Sequence, residues 1–199
     1  MFSLIAAMCI FSLTMSISPG PVNMTIIASG ATHGFRKTFP FVSGATIGFI
    51  LLLLSLGFGL TRFVTAYPAF LRYLSVAGSA FIIYVGYKIA TAPPDLSIEE
   101  AKCPGFRQGV LMQWLNPKAW LACIAGLSLF TDANSPAPFL LFSGLYFIIC
   151  YLSLSAWAVL GKRVGLLLNT RKSMKVFSMS MGSLLGACAA YLLLTSLQA

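Results

Sequence analysis

Apolar residues run along this chain in six long blocks separated by short polar stretches. The first covers residues 1–35 without a single charged side chain, and further blocks follow at about 39–61, 67–89, 108–130, 138–161 and 176–197. A helix needs about 20 apolar residues to cross a hydrocarbon core of roughly 30 Å. The pattern therefore predicts an all-α membrane protein with six transmembrane helices and no residual soluble domain. The first block lacks a basic leading segment and does not give way to a soluble chain, which argues against a cleaved signal peptide. It is also too long for one straight crossing, since 35 residues at 1.5 Å each would reach about 52 Å.

Two blocks are interrupted near their middles, by Ser18-Pro19-Gly20-Pro21-Val22-Asn23 and by Trp114-Leu115-Asn116-Pro117-Lys118-Ala119. Proline removes a backbone donor and clashes with the preceding turn, at a cost of about 3 kcal/mol inside a helix. Helices 1 and 4 are accordingly expected to be broken. Pro19 and Pro117 stand 98 residues apart, about half the chain, and each lies in the first helix of a three-helix half. Because three is odd, the halves must enter the membrane in opposite senses. The expected architecture is a single transmembrane domain over 1–199, built of two inverted three-helix repeats at about 1–92 and 104–199 with a cytoplasmic linker at about 93–103. In such folds, interrupted helices at matching positions point to the substrate site. Kinking for packing alone is the plainer alternative. The glycine pairs Gly44/Gly48 and Gly182/Gly186 are expected to serve close helix approach and no chemistry.

Composition agrees with this reading: 58% of the 199 residues are hydrophobic and only 9% charged, against about a quarter charged in a soluble domain. Basic residues outnumber acids 13 to 4, but they sit in clusters between the apolar blocks, which is an orientation signal rather than a nucleic-acid footprint. Ten fall in the loops between blocks 1–2, 3–4 and 5–6, and only Arg62 and Arg72 on the opposite side, so both termini are expected outside the cytoplasm. Five widely spaced cysteines without a CxxC indicate neither a disulfide framework nor a metal site.

The thirteenth basic residue, Lys118, lies 11 residues beyond Arg107, about 16 Å along a helix and so near the midplane. An ammonium at that depth costs upwards of about 2.5 kcal/mol. It should face a cavity or an anionic partner, and snorkelling to an interface is the alternative. Its natural ligand bears a carboxylate, with the amides of Asn23 and Asn116 at hand to hydrogen-bond that group or a polar side group. Trp114 and Trp120 flank it, as cavity walls or as core. No acid lies in any block, and there are no paired carboxylates, no HExxH and no Walker lysine loop, so neither a hydrolase nor an ATP-driven pump is readily built from this chain. No enzyme activity, cofactor or metal is expected.

With those residues in view, the chain resembles the LysE/RhtB family of amino-acid exporters. The resemblance rests on Ser18-Pro19-Gly20-Pro21 followed by Asn23, on His33-Gly34-Phe35-Arg36, and on Phe106-Arg107-Gln108-Gly109 leading to Leu115-Asn116-Pro117-Lys118-Ala119. It implies export of amino acids or derivatives across a bacterial inner membrane, with a small amino acid and the bilayer as partners, no nucleic acid, and a homo-oligomer left open. Ala31-Thr32-His33-Gly34-Phe35-Arg36 and Lys88-Ile89-Ala90-Thr91-Ala92-Pro93 are similar to the cysteine/O-acetylserine branch, which implies small neutral substrates; homoserine and threonine exporters share much of the frame. The resemblance carries the substrate site onto Pro19, Gly20, Pro21, Asn23, Asn116, Pro117 and Lys118, and Trp114 joins them as their neighbour. One departure is that Val22 follows Pro21 where the family often has asparagine, which turns the Asn23 amide by about 100° on a helix. The expected mechanism is alternating access coupled to protons, and a passive channel is its rival from another class.

Overall fold

The computed structural model describes residues 2–60, 66–67, 69–91, 103–132, 135–168 and 170–198. The expected linker at 93–103 lies outside them except for Cys103, as do Arg62 and Lys102. Among the described residues the structure is helical, with one isolated bridge between Asp132 and Ser135. Seven α-helices follow in order: α1 (Phe2–Ile17), α2 (Pro21–Ser55), α3 (Ala69–Ala90), α4 (Phe106–Trp114), α5 (Pro117–Phe130), α6 (Ala137–Leu167) and α7 (Arg171–Gln198), with a π-helical turn (Leu56–Leu60) extending α2. Three stretches are long and apolar enough to cross a membrane, Pro21–Gly59, Arg72–Ala90 and Ala137–Leu167; Phe2–Ile17 and Pro117–Phe130 are shorter apolar helices.

Both proline motifs interrupt the helix where they stand. The first apolar block divides into α1 and the start of α2 at Ser18–Gly20, and the fourth divides into α4 and α5 at Leu115–Asn116. The local cause is the same. Pro21 and Pro117 open α2 and α5, where proline's fixed φ suits the first helical position and its missing N–H would have had no intrahelical partner anyway. The residues before them, Gly20 and Asn116, are extended, which ends the preceding helix.

α2 is not straight. Gly34 takes φ 77° and ψ 171°, a left-handed φ that favours glycine. Ser29 and Thr38 hydroxyls then lie 3.0 Å apart, whereas nine residues of straight helix would separate them by about 13.5 Å. The chain doubles back at Gly34 into two arms. The arm before Gly34 lies along the second half of α6, with Gly161 against Ile27 and Gly165 against Ala31. The arm after it runs antiparallel to α6, with Phe39 near Tyr151, Phe49 stacked on Tyr146 and Phe58 against Phe139.

Small residues bring the remaining helices together. A Cβ on Gly44 would collide with the Phe106 carbonyl and one on Gly48 would come 2.8 Å from Val110 Cα, so this pair seats α4 on α2. Gly182 meets Gly86 where α7 crosses α3, while Gly186 has open space beside it. Inside lipid, where apolar burial drives little helix association, such close packing is the principal attraction. The core centres on α1, α2, α5 and α6, through Phe11, Phe130, Phe142 and Tyr146.

Candidate functional site: a lysine between two broken helices

The two interruptions meet. Lys118, in the first turn of α5, reaches across to the end of α1, where its ammonium donates to Ser18 O at 2.8 Å, Ser18 Oγ at 2.7 Å and Pro19 O at 3.4 Å. Three donors thus face three oxygens. The Ser18 hydroxyl donates a hydrogen bond to Met15 O at 3.2 Å, leaving its lone pairs for the lysine. The carbonyls stand just beyond the C-terminus of α1, whose partial negative charge attracts a cation. A helix that stops inside an apolar interior leaves such oxygens unpaired, and here a side chain 100 residues away pairs them. Gly20 makes room: a Cβ there would stand 3.2 Å from Lys118 Nζ and 3.3 Å from its Cδ.

The second break is closed by its own neighbours. Asn116 caps α5, its Oδ1 accepting from Lys118 N at 3.2 Å. Trp120 donates its indole N–H to Trp114 O at 2.7 Å, and Trp114 donates to Gly48 O at 3.1 Å. The Trp114 ring therefore ties α4 to α2 and lies off the cavity beside the lysine, while Trp120 packs edge-on against Phe70. Gly78 of α3 sits so close to this break that a Cβ would collide with Leu115 O.

Beside Lys118 lies a cavity of about 40 Å³, lined among others by Gly20, Asn23, Gln113, Asn116 and Tyr146. That is room for a few waters and too little for an amino acid. Of the expected residues, the structure brings Gly20, Asn23, Asn116 and Lys118 to this cavity, while Pro19, Pro21 and Pro117 shape the chain around it. Asn23 faces inward in spite of Val22, but its amide nitrogen is committed to Ser16 O at 2.9 Å. A wider cavity of about 680 Å³ opens between α2, α3 and α4, bordered by Thr25, His33, Tyr84, Lys88, Cys103 and Met112. Thr25 Oγ1 meets Met112 Sδ at 3.5 Å, and these two are chain neighbours of the Asn23 and Gln113 positions that line the inner cavity. At the outer rim, burial pushes the Cys103 thiol up from its ordinary value, so it stays protonated at neutral pH.

Three residues of this arrangement escape a reading of the motifs. Ser18 is signalled only by standing directly before Pro-Gly-Pro, and Gln113 only as an amide inside an apolar run. Gly78 has no local signal.

Comparison with known proteins points one way. A family model described as LysE type translocator matches residues 13–196. The cysteine/O-acetylserine efflux protein of Escherichia coli (strain K12) is 33% identical over 136 residues, covering 68% of this chain and 69% of the relative. The protein of that name from Shigella flexneri serotype 5b is 34% identical over 135 residues, covering 67% and 69%. No solved structure matches.

Proposed function

Because the chain belongs to the LysE type translocator family, we propose that it exports small neutral amino acids or their derivatives, cysteine and O-acetylserine foremost, from the cytoplasm across the bacterial inner membrane. The observation that carries the reading is the reach of the Lys118 ammonium onto the carbonyls of the first break. A zwitterionic amino acid offers both charges that this contact pairs internally. Its carboxylate takes the ammonium, aided by the positive ends of α2 and α5, and its own ammonium takes the oxygens of Ser18 and Pro19.

The helices support six passes in two inverted halves when α1 with the first arm of α2, and α4 with α5, each count as one interrupted crossing. The excess of basic residues between blocks 1–2, 3–4 and 5–6 supports an orientation with those loops in the cytoplasm and both termini outside. The wide cavity bordered by His33, Lys88 and Cys103 then faces the cytoplasm as the entry vestibule. Substrate passes Thr25 and Met112, releases the lysine, and the halves rock to open outward. The narrowness of the inner cavity favours a carrier over an open channel, which needs a continuous polar lining.

Export is coupled to proton entry, with Lys118 as the protonatable group on the path. Purified protein in liposomes tests this: labelled O-acetylserine or cysteine should move by saturable counterflow and accelerate under an imposed pH gradient. Flux indifferent to the gradient removes the antiport step, unsaturable flux makes the protein a channel, and a preference for homoserine or threonine moves the substrate to those relatives.

A further inference from the structure

Most polar side chains at the two breaks have a protein partner; Ser16 Oγ, on the wall of the cavity beside Lys118, and Gln113 do not. Asn23, Asn116, Trp114, Trp120, Ser18 and Lys118 all make hydrogen bonds across or along the interruptions. Gln113, in the last turn of α4, is only 5% exposed and lines the cavity beside Lys118. Its carboxamide makes no hydrogen bond among the described residues and borders the cavity. Buried polar groups are paired in the large majority of native structures, and each exception asks for a reason.

The surroundings say what would pair it. Among the described residues, no charged side chain other than Lys118 lines the cavity; the Tyr146 phenol, the Cys150 thiol and the Ser16 hydroxyl that share its wall are neutral. A carboxamide both donates and accepts. It therefore suits a hydroxyl, thiol, ester or amide, whereas a cationic side group would be buried beside a lysine without a counter-charge.

We propose that Gln113 is the specificity-determining residue of the site, hydrogen-bonding the neutral polar side group of an amino acid whose carboxylate is held by Lys118. This rests on the export reading above and adds the pole of the site that selects among amino acids. The lysine and the break carbonyls recognise what all α-amino acids share, and Gln113 reads the part that differs.

The experiment is competition for export in proteoliposomes, with labelled O-acetylserine as the reporter. Serine is compared with 2-aminobutyrate, which replaces the hydroxyl by a methyl, and cysteine and lysine are included. Wild-type protein should prefer serine over 2-aminobutyrate by about tenfold or more, because a site built to hydrogen-bond a group rejects the analogue lacking it, and lysine should not compete. Gln113→Leu and the volume-matched Gln113→Met should erase that preference while still moving 2-aminobutyrate. Equal competition by serine and 2-aminobutyrate in the wild type overturns the proposal, whether or not the variants fold. So does a preference that survives in either variant. If wild-type protein exports no amino acid at all, it is the export reading that falls.

Discussion

The two breaks are alike in shape and opposite in chemistry. Each begins its second half-helix with proline after an extended residue. The second is self-contained: Trp120 closes on Trp114 O and Asn116 on Lys118 N, both within a few residues of the interruption. The first is closed only in part by its neighbours, through Asn23 on Ser16 O, and leaves Ser18 O and Pro19 O for a cation from the other half of the chain. Proline sets where a helix stops, and the side chains around the stop decide whether the freed carbonyls are sealed or left to be exchanged.

The contrast can be broken hardest at its shared contact. Lys118→Ala removes the cation from the first break and the proposed partner of a substrate carboxylate, so export should fall by about 100-fold in a cell efflux assay with the protein still in the membrane, the scale of a lost charged hydrogen bond in a dry site. Next comes the sealed break. Gly78→Leu forces a side chain onto Leu115 O and should lower stability by about 2–3 kcal/mol, read as an earlier thermal transition in detergent. Trp120→Phe keeps the ring against Phe70 and removes only the bond to Trp114 O; it should cost about 1–2 kcal/mol in the same measurement. The mildest is Gly20→Ala. Its Cβ would crowd only the flexible end of Lys118, so efflux should drop severalfold at unchanged thermal stability. A Gly20→Ala protein that melts early while exporting normally would reverse the roles assigned to the two breaks.

Much of this was legible in the residues themselves. Proline marks both interruptions whatever surrounds it, because the missing donor and the ring clash are local. Gly44 and Gly48, four residues apart, face α4 where the spacing predicts a close helix approach. What could not be read is every pairing between distant segments. Nothing near Lys118 says that its ammonium ends on Ser18, and nothing near Trp114 says that its indole reaches Gly48 instead of the cavity. The turn of the Asn23 amide expected from Val22 assumes a helix in register from Pro21; the residue faces inward because α1 ends beside it with Ser16 O to be satisfied. Gln113 is an ordinary polar residue until burial on all sides leaves its amide alone.

The lysine clasped to the opposite half-helix also bears on what the protein does while idle. If the proposed export pathway runs past this contact, the unoccupied protein blocks it with its own side chain, and whatever opens it must compete for the oxygens of Ser18 and Pro19.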